Sequence, residues 1–291
     1  MVSDYVILAD STADLSKEFM DRFNVSVIPM RFTMGGKTYF DKDISSHEFY
    51  SSIRNSREAP TTTQINPEEY SDYFEKFLNN QMNVIYVCFS SALSGTYNSA
   101  CIAANDLNSK HKCKVKVIDS LSASLGEGLM IYKAALKKQD GASFEEVAEW
   151  LEEYKHKVAH IFTVDDLNQL SKSGRLTRTS AFFGTMMNIK PVLHVNDNGE
   201  LVLLKKVRGR NKAIDLMAEK TKEYSEGLKN DLFMIVHGDC VDDANRLAEK
   251  IKDKLGNIDI SKNIVFGNVT PIIGAHTGLG TLAVFFESNH R

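Results

Sequence analysis

The chain has few cysteines and no surplus of basic charge, and each shortage removes a class of function. Its four cysteines, Cys88, Cys101, Cys113 and Cys240, have neither the paired spacing of zinc ligands nor the density of a disulfide scaffold. They read as small buried hydrophobes or surface thiols. Lys and Arg total 35 against 38 Asp and Glu, a formal net charge of -3, so no basic excess is available to neutralise a nucleic-acid backbone. Nowhere do roughly 18 apolar residues run together, and the start, Met1 to Val6, places an acid at Asp4 instead of a basic leader. A cytoplasmic protein with no membrane-spanning segment and no nucleic-acid partner is expected. No low-complexity tract suggests disorder, and 43% hydrophobic with 25% charged residues is ordinary globular composition.

At 291 residues, two packed domains are the leading expectation. The first half alternates short apolar runs with helical patterns, as a parallel sheet flanked by helices requires. Strands are expected at Tyr5 to Ala9, Val25 to Thr33, Val84 to Phe89 and Val115 to Ile118. Helices are expected over Leu15 to Phe23 behind Ser11 and Thr12, over His47 to Ile53, and over Pro67 to Leu78. The last begins with Asn66 and then proline, which needs no donor in the first turn, and Glu68 and Glu69 there oppose the helix dipole. Ser143 before Glu145 and Glu146 repeats the capping pattern.

After about residue 157 the pattern changes. Asn196, Asp197, Asn198 and Gly199 between two apolar runs predict a β-hairpin, so antiparallel pairing enters. Helices over Lys212 to Tyr224 and Asp242 to Leu255, with strands Leu232 to Val236 and Ile264 to Val269, complete a smaller layer. The expected fold is α/β: an N-terminal three-layer α/β/α domain with a mainly parallel sheet over 1–156, and a second, two-layer α/β domain with a mixed sheet over 157–291. The boundary is placed near Lys155 to Val158.

Several segments carry chemistry. Ser90 to Asn98 turns from a strand into a helix through hydroxyl residues and Gly95, which aims free backbone N–H groups and the positive helix end at one point. Ser94 is the leading anion contact, although Ser91 or Ser94 as a simple helix cap explains the same spacing. Thr61, Thr62 and Thr63 lie in a loop that a parallel sheet would gather at the same strand ends, or they serve turn chemistry alone. His276, within Gly274 to Gly280, can donate to a carboxylate or exchange a proton, or can be structural. Ser171 to Leu176 reads as a polar turn between helices, in which Arg175 serves a phosphate, a partner acid or only solvent. The stretch from Ala181 to Ile189 suits an oily lining or ordinary core packing.

Other classes lack their signatures. There is no G-x-S-x-G elbow for a serine hydrolase built on Ser94 and His276, the competing enzymatic reading for acyl esters. No phosphate loop or protein-kinase signature set is present. Asp10, Ser11 and Thr12 stand where a dinucleotide fold needs its glycine turn.

Taken in order, Asp10 to Leu15, Pro60 to Gln64, Ser90 to Tyr97, Ile118 to Ser120, Gly174 to Leu176, Lys190 to Leu193, Gly209-Arg210 and Gly274 to Gly278 resemble the successive motifs of the DegV family from end to end. The resemblance implies a lipid-binding carrier, not an enzyme, that needs no cofactor and holds one long-chain fatty acid at the domain junction. It implies a role in phospholipid metabolism, with the carboxylate shown to a separate fatty-acid kinase subunit that makes the acyl phosphate. Transient membrane contact is left open. By motif, Thr62 and Ser94, with Thr61, Thr63 and Gly95 beside them, are similar to the family's carboxylate-binding positions, and His276 to its head-group histidine. Arg175 and Arg208, with His276, correspond to positions implicated in kinase engagement or phosphoryl transfer. Two departures stand out: Thr63 where the family often has serine, and Ile65 where a proline often follows Gln64.

Overall fold

The computed structural model describes residues 4–56, 58–165, 167–176, 188–256 and 258–291. The first part of the chain runs β1 (Tyr5–Asp10), α1 (Lys17–Phe23), β2 (Val25–Ile28), β3 (Arg31–Met34), β4 (Lys37–Phe40), α2 (Ser46–Asn55), β5 (Thr61–Thr63), α3 (Pro67–Leu78), β6 (Asn83–Cys88), α4 (Thr96–Lys110), β7 (Val115–Asp119), α5 (Leu125–Gln139) and α6 (Phe144–Tyr154). It continues through β8 (Val158–Thr163), α7 (Asn168–Lys172), β9 (Ile189–Val195), β10 (Leu201–Arg208), α8 (Arg210–Ser225), β11 (Phe233–His237), α9 (Val241–Leu255), α10 (Ile260–Asn263), β12 (Ile264–Asn268), α11 (Pro271–Thr277) and β13 (Leu282–Glu287).

Among the described residues the strands form three sheets. The first is a parallel four-stranded sheet, β2-β1-β6-β7. Its β1 and β6 are buried along their whole length, as strands covered by helices on both faces must be. The pair α3 and α4 pack together, and α1 meets α5. The second is a mixed six-stranded sheet, β10-β9-β8-β13-β11-β12, antiparallel except for the β11–β12 pair. The α/β architecture is therefore a parallel-sheet domain joined to a mixed-sheet domain. One apolar cluster extends from the first sheet to the inner face of the second, through Phe162, Val236, Ala283 and Phe285. A separate cluster, with Ile161, Ile235 and Val284, packs the outer face against α8 and α9. Helix α5 lies between the two sheets and touches strands of both. Its first seven residues, Leu125 to Ile131, are all buried, because a helix with protein on every side has no polar face.

The third sheet, β4-β3-β5, was not expected. The single strand read over Val25 to Thr33 breaks at Pro29, which has no N–H for a ladder. Its halves enter different sheets, β2 in the first and β3 in the third. The threonine run expected in a loop is β5, antiparallel to β3 with Thr62 opposite Phe32. Helix α1 starts behind Ser16, whose hydroxyl accepts from Phe19 N–H. Ser11 to Ala13 instead form a single 3-10 turn capped by Asp10. His276 is in the last turn of α11 and not in an irregular glycine loop. The helix over 67–78 and the capping boxes at Asn66 and Ser143 are where the sequence places them. Of the stretch 181–189, residues 181–187 lie outside the described residues.

Candidate functional site

Between the two sheets lies a cavity whose volume, counted as the space open to the centre of a water molecule, is about 100 Å³. That is room for a slender occupant only. Its apolar wall comes from the inner face of the mixed sheet (Phe162, Val195, Leu201, Val236, Ala283, Phe285), from the loops after β6 and β7 (Phe89, Leu93, Ala123), and from Ile272 and Ile273 of α11. Alternation produces this face: in β8, His160 and Phe162 look into the cavity while Ala159 and Ile161 belong to the outer cluster.

Four of the expected residues, Thr62, Ser94, Arg175 and His276, share this wall. Thr62 Oγ1 and His276 Nε2 are hydrogen-bonded at 2.9 Å, with the tautomer deciding which donates. Burial, with help from the Arg175 guanidinium, pushes the His276 imidazole down to about 4. It is therefore neutral at pH 7 and acts through hydrogen bonds. Its Nδ1 is buried with no hydrogen-bond partner among the described residues. Ser94 Oγ lies 2.8 Å from Thr96 Oγ1 and accepts from the Thr96 N–H at 3.2 Å. That hydroxyl thus supports the start of α4 while lining the cavity, so the capping role and the wall position coexist. Arg175 is held by the Leu93 carbonyl at 3.1 Å and by the Ser173 carbonyl.

The other expected residues lie off the wall. Thr61 and Thr63 alternate to the opposite face of β5 and are exposed. Gly95 is the N-cap of α4, and a Cβ there would sit 2.7 Å from Gln64 Oε1. Gln64 also donates to Ser99 Oγ at 2.7 Å, which ties the segment after β5 to α4. Arg208 ends β10, exposed and outside the cavity lining.

Sequence reasoning missed five polar wall residues, Thr12, Ser124, His160, Thr277 and Thr281. Each already has internal partners. Thr12 Oγ1 bonds Asp10 and lies 3.0 Å from Glu127 Oε2. Ser124 Oγ donates to Asp14. His160 Nδ1 lies 3.2 Å from the Val158 carbonyl, and its Nε2 accepts from Ala123 N–H at 3.4 Å. Polar groups satisfied in this way can border an apolar occupant without leaving a bond unmade. A lone histidine within the apolar β8 was the available signal for His160.

The family model described as "DegV family" matches residues 4–289. The chain belongs to the DegV family. A DegV domain-containing protein of Clostridium perfringens is 37% identical to this family member over 286 residues, 97% of each chain. Two solved DegV structures share its fold. One, from Thermus thermophilus and described by its fatty acid binding, superposes with a TM-score of 0.87 at 28% identity, covering 98% of this chain and 99% of that one. The other, Bacillus subtilis DegV, described as a fatty acid binding protein, gives 0.84 at 29% identity, covering 99% and 100%. Among the described residues no helix is long and apolar enough to cross a membrane, and no group of three or more His, Cys, Asp or Glu could hold a metal ion.

Proposed function

We propose that this DegV family member binds one long-chain fatty acid at the junction of domains 1–156 and 157–291. Its tail is buried between the sheets, and its carboxylate is held by Thr62, Ser94 and His276. The observation that carries the reading is the Thr62–His276 hydrogen bond set into the wall of an otherwise mostly apolar cavity. Two DegV relatives described as fatty acid binding support it. Each buried methylene contributes about 0.8 kcal/mol, so the tail supplies the affinity. The carboxylate, costly to desolvate unpaired, sets the orientation.

The same reading makes the protein a cytoplasmic carrier that presents the carboxylate to a separate fatty-acid kinase, with Arg175 and the exposed Arg208 facing that partner. A serine hydrolase would need Ser94 against His276 and an acid to orient the ring. Instead His276 bonds Thr62, Ser94 bonds Thr96, and among the described residues His276 Nδ1 has no hydrogen-bonded acid.

Native mass spectrometry of the protein purified from cells tests binding directly, with one retained long-chain fatty acid per chain as the expected result. Thr62→Ala with Ser94→Ala should weaken binding by about 1 kcal/mol per hydroxyl. His276→Ala should still bind, more weakly by about 1 kcal/mol for the lost hydrogen bond, and yet fail to support ATP-dependent acyl-phosphate formation when a fatty-acid kinase is added. A protein that retains no lipid and binds no added palmitate would overturn the proposal.

A further inference from the structure

The two halves of the Thr62–His276 pair come from elements far apart in sequence, and one aromatic stack touches the supports of both. Thr62 is opposite Phe32 in the β5–β3 ladder, so the two side chains share a face of the small sheet. The Phe32 ring meets Phe49 of α2 edge to face, with centroids 5.5 Å apart at 90°, and Phe49 meets Tyr50 at 5.1 Å and 78°. All three rings are buried to within 1%. Beyond them lies Gly274 of α11. A Cβ on Gly274 would stand 2.7 Å from Tyr50 Oη and 2.8 Å from Phe49 Cε1, so the rings lie directly on the helix backbone. Gly274 precedes His276 by two residues, about 200° around the helix, which puts the contact on the side away from the imidazole. Tyr50 also reaches Gly238 after β11, where a Cβ would be 2.8 Å from its hydroxyl oxygen. That hydroxyl is buried with no hydrogen-bond partner among the described residues. Its role is therefore to fill space between two glycines.

We infer that Phe49 and Tyr50 are positioning residues: through Gly274 they seat α11, through Phe32 they seat β5, and so they fix the separation of Thr62 and His276. The inference rests on the carboxylate reading for its functional meaning, although the geometry it asserts exists without ligand. Rigid support of this kind matters because a capture site loses effect when its groups move by fractions of an ångström. Buried rings cannot swing aside as the end of an exposed side chain would.

The test compares delipidated wild type with Gly274→Ala, Tyr50→Phe and the double variant. The ¹⁵N resonances of the His276 imidazole are recorded without ligand, and affinity is measured with [1-¹³C]palmitate. Gly274→Ala should move the His276 resonances and weaken palmitate binding severalfold. Adding Tyr50→Phe removes the nearest clashing atom and should bring both at least partly back, while Tyr50→Phe alone, which empties the space against Gly274, should shift the resonances less than Gly274→Ala does. Unchanged His276 resonances in a folded Gly274→Ala protein would overturn the inference, whatever happens to binding. A double variant no better than Gly274→Ala would overturn the part given to Tyr50. Should Gly274→Ala fail to fold, Phe49→Leu carries the same comparison: shifted resonances support the seat and unshifted ones refute it. If the wild type bound no palmitate, the carboxylate reading would fall, and the ligand-free resonances would still decide the seat.

Discussion

Asp14 Oδ1 accepts a hydrogen bond from the Thr270 N–H at 3.0 Å, so a carboxyl in the loop after β1 holds the residue that begins α11. The other oxygen accepts from Ser124 Oγ on the cavity wall. Burial raises this carboxyl to about 7, with nearby Asp41 adding to the rise, while its hydrogen bonds to Ser124 and Thr270 pull the other way. Asp41, most of it buried, is raised to about 6 for the same reason. A carboxyl whose folded value exceeds its unfolded value of about 4 favours the protonated, folded form. Its contribution is fully present below pH 4 and lost as pH rises through 7. Unfolding free energy should therefore fall between about pH 4 and 7. Asp14→Asn should flatten that slope and stabilise the protein at pH 8 by on the order of 1–3 kcal/mol, measured by urea denaturation at several pH values. A mutant as pH-sensitive as wild type would place the titration elsewhere.

Glu127 gives a second, sharper case. It is fully buried in α5, and burial together with Asp10 drives its carboxyl well above the usual range. Thr12 has one hydroxyl proton and two acid neighbours. With that proton committed to Asp10, the 3.0 Å contact to Glu127 is best made by a proton on Glu127 itself. A neutral glutamic acid is well imitated by glutamine, so Glu127→Gln should change stability by less than about 1 kcal/mol at pH 7. A loss of several kcal/mol would show that the charged form is the one folded.

How much of this was legible depended on whether the determining contacts were local. Pro67 behind Asn66, and Ser143 three residues before Glu146, state their helix starts within a few residues, and those helices begin where the sequence places them. Val25 to Thr33 reads as one strand because its composition is uniformly strand-like. Only the missing N–H of Pro29 and the separate partners β1 and β4 divide it. Thr61 to Thr63 became a strand through pairing with Arg31 to Thr33, a contact that no local pattern encodes. Site residues followed the same rule. Thr62, Ser94, Arg175 and His276 stand in recognisable motifs, whereas Ser124 and His160 reach the wall only through the stacking of one sheet on another.

The closeness of that stacking at Gly126 supplies the last test. Gly126 opens α5 where it passes β8, and a Cβ there would overlap the His160 imidazole at Nε2. The ring cannot turn away easily. The Val158 carbonyl can only accept, so His160 Nδ1 carries the proton, and Phe285 packs against the ring edge to face at 5.2 Å and 82°. Gly126→Ala should then cost about 1–3 kcal/mol by overpacking. His160→Ala alone should also destabilise, because it leaves a void beside Phe285 and frees the Ala123 N–H. Combined, the two should cost less than their sum by about 1 kcal/mol or more, since the new methyl enters the space the ring has left. Chemical denaturation of the four proteins gives the coupling directly. Strict additivity would mean that α5 and β8 do not meet through these two residues.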